Sequence, residues 1–203
     1  MQKIFARTVF LVVRFDPLGT WESDGDIGAF GFQQYEDDIN TILRFVIREY
    51  GTLPITLIGH SMGGMVSVAF AIEYPHLIEK VVGIMCPLSR DILETKTEWR
   101  KSGFRISKRS HPKKDTEIIY QVPYKIVEEI YSQRVDLTHI MCPILLIAGQ
   151  KDTKVPPVLI ENYFKKIKRN KKFVILKGVQ HDYRKHEDQI RLVNDAVITW
   201  LEG

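Results

Sequence analysis

The stretch PITLIGHSMGGMVSVAF (residues 54–70) decides the fold. Its first half is an apolar, β-branched run that stops at Gly59. Its second half is rich in Gly, Ala, Val and Met, the composition of a helix packed closely against its neighbours. A strand that turns at glycine directly into such a helix is the opening of a βα unit.

Working outward, the same alternation continues on both sides. VFLVVRFD (9–16) reads as a strand that runs into the loop DPLGTWESDGDIG, and QQYEDDINTILRFVIREY (33–50) has apolar residues at helix spacing. Further strands are expected at VVGIMCP (81–87), CPILLIAGQKD (142–152) and KKFVILKG (171–178). Helices are expected at PPVLIENYFKKI (156–167) and DQIRLVNDAVITWLEG (188–203). Near-continuous apolar strands separated by helices predict an α/β fold, a mainly parallel sheet covered on both faces. Residues 1–203 then form one domain. Residues 88–136 break the alternation, contain helical pieces such as PYKIVEEIYSQ, and read as a small helical cap inserted in it.

Composition narrows the class. Apolar residues make up 44% and charged residues 27%, a globular mixture. No window approaches the roughly 18 apolar residues of a membrane span. The N-terminal MQKIFARTVFLVVRFD meets charge at Arg14 with no small-residue cleavage site, so the expectation is a cytoplasmic protein without a secretory signal. The net charge is +4, yet residues 87–115 alone hold nine lysines and arginines against four acids, net +5. That field attracts anions, but no nucleic-acid-binding module accompanies it, and no nucleic-acid partner is expected. Cys86 and Cys142, at the end of one strand and the start of the next, are too far apart for a disulfide.

Chemistry gathers at the carboxyl ends of parallel strands. Ser61 stands there in Gly59-His60-Ser61-Met62-Gly63, a G-x-S-x-G pattern between strand and helix. The two glycines relieve crowding at a sharp turn, and the helix N-terminus favours negative charge beside Ser61. A serine hydroxyl needs a base to become a nucleophile. His181 follows the strand at 171–178, and Asp152 ends the stretch 142–152, just past its apolar run, where a carboxylate can orient the imidazole. Asp91 is the competing acid, while His186 reads as a surface residue and His60 as a packing one. No metal-ligand spacing, G-x-x-x-x-G-K-[ST] or G-x-G-x-x-G occurs, so no metal or cofactor is expected.

These residues resemble the α/β-hydrolase superfamily, in its branch of carboxylesterases, lipases and serine aminopeptidase-like enzymes. GHSMGG (59–64) resembles that family's nucleophile elbow, RFDPLGTWESDG (14–25) its preceding strand and glycine-rich loop, and LIAGQKDTKVP (146–156) and LKGVQHDY (176–183) its acid and histidine segments. The resemblance implies Ser61 as nucleophile, His181 as base, Asp152 as acid and Met62 as one oxyanion N–H donor. It implies hydrolysis of a small ester, thioester or amide without a cofactor. Members of the family place further strands upstream, one ending in a His-Gly-type loop that supplies the second oxyanion donor. No such loop precedes Val9, so the expectation is an N-terminally shortened fold with exposed sheet edges. Those edges could pair two copies of the chain, and the alternative function is a weakly active or non-catalytic member.

Overall fold

The computed structural model describes residues 10–88, 97–110, 117–168 and 170–203. Helix α1 (Phe32–Tyr50) leads to strand β1 (Thr56–His60), helix α2 (Met62–Glu73) and strand β2 (Lys80–Ile84). After helix α3 (Thr97–Ser102) come strands β3 (Phe104–Ser110) and β4 (Glu117–Pro123) and helix α4 (Tyr124–Ser132). The chain closes with β5 (Ile144–Gly149), α5 (Pro157–Lys166), β6 (Lys171–Leu176) and α6 (Glu187–Glu202). A four-stranded parallel sheet runs in the order β1-β2-β5-β6.

The apolar strands are apolar because both faces are covered. Along β5 the side chains alternate between two cores: Ile144, Leu146 and Ala148 face one, and Leu145 and Ile147 face the other. The first core takes Ile39 and Leu43 from α1, Met65, Val68 and Phe70 from α2, and Ile160 and Tyr163 from α5. The second takes Val193 and Val197 from α6. All six β5 residues are buried, so their order admits no polar substitution on either face. This is the doubly covered α/β architecture that the alternation predicts.

Two local expectations are revised. Residues 10–16 form no strand: Phe10–Val13 are exposed, and Phe15 instead sets its ring edge-on to Tyr35, 6.1 Å between centroids. Apolar β-branched sequence makes a strand only where a neighbour supplies ladder hydrogen bonds, and none of the described strands lies beside this one. The segment between β2 and β5 also adds an antiparallel hairpin, β3 against β4, to the expected helical pieces. Its apolar residues Val122, Ile126 and Val127 form a small core of their own with Trp99 and Tyr131. Both cysteines are free and buried, and burial pushes the Cys86 thiol up to about 12.

Candidate active site

Ser61 sits between β1 and α2 with φ 54° and ψ −123°, a left-handed backbone that non-glycine residues seldom adopt. Its N–H donates to the Ile84 carbonyl at 2.9 Å, and its own carbonyl accepts from Met65 N–H at 3.1 Å, so the strained residue is held from both sides. The surrounding glycines are needed for contact. A Cβ on Gly59 would lie 2.2 Å from the Gly63 carbonyl oxygen, and one on Gly64 would lie 2.7 Å from Cβ of Cys86. Strand and helix therefore meet backbone to backbone, which lifts the Ser61 side chain above the sheet. At Gly63 the neighbour is the Tyr35 hydroxyl, 2.9 Å from where a Cβ would be.

Asp152 and His181 arrive from β5 and β6. Oδ1 of Asp152 accepts from the N–H groups of Lys154 and Val155, each at 2.8 Å, in a turn that fixes the carboxylate just past the end of β5. Oδ2 lies 2.8 Å from Nδ1 of His181. A carboxylate only accepts, so Nδ1 carries the proton and Nε2 is left as an acceptor. Nε2 in turn lies 3.0 Å from Ser61 Oγ, whose hydroxyl donates to it. The carboxylate is fully buried and the imidazole almost so, which strengthens each of these interactions.

His60 supports the site without joining the relay. Its ring packs 4.8 Å from that of His181 and meets Tyr183 edge-on at 5.2 Å. Burial first, then the charges of Arg184 and His181, lower its pKa to about 3, which makes it a poor proton acceptor. Its buried Nε2 has no hydrogen-bond partner among the described residues. His186 is exposed. Asp91 lies outside the described residues. A cleft of about 360 Å³ beside His181 is lined by Lys151, Thr153, Lys154, Gln180, Asp182 and Lys185. A larger apolar groove of about 450 Å³ lies at the opposite end of β1, around Leu53, Ile55 and Leu77, remote from these groups.

Sequence reasoning thus located the three side chains that the fold brings together, and it missed the groups that steady them. The Lys154 and Val155 amides were legible in principle as an Asp-centred turn; the Tyr35 contact with Gly63 had no local signal. The described helices include none long and apolar enough to cross a membrane.

A serine on a strained strand–helix turn, hydrogen-bonded to a histidine and through it to a carboxylate past successive parallel strands, defines an α/β-hydrolase fold of the serine-hydrolase kind. Residues 2–118 match the family described as serine aminopeptidase, S33, and the chain belongs to that family. Rat mitochondrial palmitoyl-protein thioesterase ABHD10 is 27% identical over 162 residues, which cover 71% of this chain and 49% of the relative. The human counterpart is 29% identical over 154 residues, covering 71% and 48%. The chain spans about half the length of these relatives. Among solved structures, mouse alpha/beta hydrolase domain-containing protein 10 superposes with a TM-score of 0.68 at 20% identity, over 93% of this chain and 76% of that one. The monoacylglycerol lipase of Paleococcus ferrophilus gives 0.64 at 18% identity, over 89% and 78%. At these identities the structural likeness is one of fold.

Proposed function

We propose that this chain is a serine hydrolase that cleaves an ester or thioester through an acyl-enzyme. The observation that carries the reading is the hydrogen-bonded series Ser61–His181–Asp152, with the serine hydroxyl donating to an imidazole already in the tautomer that can accept its proton. Ser61 Oγ attacks the carbonyl carbon while His181 Nε2 takes the hydroxyl proton. The resulting imidazolium is stabilised by Asp152 and then protonates the leaving alkoxide or thiolate. Water, deprotonated by the same nitrogen, releases the acid and restores the serine. Met62, at the first position of α2, supplies in this reading one N–H for the developing oxyanion, assisted by the helix dipole.

Residues 88–136 act in this reading as a cap over the site. The thioesterase and monoglyceride lipase names of the relatives favour an acyl ester or thioester over a peptide as substrate. A cytoplasmic site of action belongs to the proposal on composition alone. A weaker or non-catalytic form is favoured by one feature: β1, which carries the elbow, has no neighbour on its outer side among the described strands. A site short of one oxyanion donor turns over about 10²–10³-fold more slowly.

A fluorophosphonate probe tests the reading directly. Labelling of the wild-type chain that vanishes in Ser61→Ala supports it. A chain that folds but neither labels nor hydrolyses any acyl ester overturns it.

A further inference from the structure

Alternate residues of a strand share a face, so β3 turns Arg105, Ser107 and Arg109 one way and Ile106 and Lys108 the other. Arg109 is drawn inward. Its guanidinium lies 5.5 Å from the centre of the Phe30 ring and 5.2 Å from that of Tyr120. Both rings are anchored: Phe30 is buried and 6.1 Å from Tyr35, and the Tyr120 hydroxyl accepts from Trp21 N–H at 2.9 Å. Tyr35 is the residue whose hydroxyl occupies the space beside Gly63 of the elbow, where a side chain would begin. Arg109 therefore stands two aromatic rings away from the turn that carries Ser61.

No counter-ion balances its charge among the described residues. Its hydrogen bond is a long donation from Nε to Ser107 Oγ at 3.5 Å. Burial, assisted by Arg105 and Arg184, holds its pKa below the usual arginine value. Asp16 and Asp38 act on Tyr35, as do Arg109 and Arg184. Asp38 is already occupied by the Leu18 N–H at 2.9 Å and the Gln34 side-chain amide at 3.0 Å. A half-buried cation without a counter-ion is unfavourable unless an anion joins it.

We propose that Arg109 receives a carboxylate, so that the site takes esters or thioesters whose acyl or leaving group carries a carboxylate. This rests on the reading of Ser61 as nucleophile. The planar guanidinium offers paired N–H donors that match the two oxygens of a carboxylate, and rings close to it reduce competition from water.

The test uses nitrophenyl monoesters of dicarboxylic acids from succinate to sebacate and their methyl-capped counterparts. Wild type should favour the free carboxylate at the best chain length by about tenfold in kcat/KM, the equivalent of one charge-assisted hydrogen bond. Arg109→Gln should bring that ratio to about one, and Arg109→Lys should restore it only in part. Lys108→Gln removes the same charge from the other face of β3 and should keep the ratio. Equal ratios in wild type and Arg109→Gln, or an equal loss in Lys108→Gln, overturn the proposal. Thermal stabilisation by the free dicarboxylates gives a second readout that needs no turnover. If the chain proves inert toward esters and probe, Arg109-dependent stabilisation still supports the carboxylate subsite while the hydrolase reading fails; stabilisation unchanged in Arg109→Gln refutes the subsite.

Discussion

Replacing Asp152 with asparagine separates orientation from charge in the relay. The amide is nearly isosteric, and its oxygen can keep the two bonds from the Lys154 and Val155 amides at 2.8 Å. Its NH₂ group then falls where Oδ2 stood, 2.8 Å from His181 Nδ1. Two N–H donors cannot face each other at that distance, so the imidazole must shift its proton to Nε2. An Nε2–H donates to Ser61 Oγ, 3.0 Å away, instead of accepting from it, and the base is lost. The expected fall in kcat is about 10⁴-fold, or roughly 5.5 kcal/mol of transition-state stabilisation. The assay pairs nitrophenyl ester turnover with ¹⁵N NMR of the His181 ring, which reports the tautomer whether or not turnover is measurable. A variant within tenfold of wild type, with Nδ1 still protonated, would refute the reasoning. Damage from Asp91→Asn with a silent Asp152→Asn would move the acid role to Asp91.

Other perturbations test the surrounding structure. Gly64→Ala places a methyl 2.7 Å from both Cys86 Cβ and the Gly59 carbonyl oxygen, and should lower stability by about 1–3 kcal/mol in urea unfolding; an unchanged midpoint would mean that strand and helix are not in contact there. Glu36, buried on α1, is raised to about 7 by burial first and then by Glu73 and Asp37. The folded state therefore binds this proton more tightly than the unfolded chain, and stability falls as pH rises from about 4.5 to 7. Discounted for solvent screening, that fall is about 1–2 kcal/mol, and Glu36→Gln should remove it; identical pH profiles of melting for the two proteins would contradict this. Ile58, half exposed on β1, which has no outer neighbour among the described strands, should promote pairing of two copies through that edge, and Ile58→Lys should suppress it. Sedimentation showing wild-type monomer at every concentration would reject the pairing.

What the sequence alone determined was local or periodic. The strand–Gly–Ser–Gly–helix turn is written in residues 54–70 because the crowding there involves atoms only a few positions apart, such as Gly59 against Gly63. The apolar runs at 144–149 and 81–84 announced strands covered on both faces because every residue in such a run needs an apolar neighbour. Helix periodicity in α1 and α6 likewise reflects one buried stripe, and the order Ser61, Asp152, His181 followed from strand ends that could be counted. Tertiary structure decided everything that depends on what lies alongside. VVRFD was as strand-like as any run in the chain, yet residues 10–16 have no ladder, since strand structure belongs to a pair of segments and not to one. The direction of the Asp152 carboxylate depends on two amides that close around it, and Tyr35 reaches Gly63 only because α1 packs on α2. The basic segment read as uniform charge; folding into a hairpin turned Lys108 outward and brought Arg109 in between Phe30 and Tyr120, because a strand's two faces meet different surroundings.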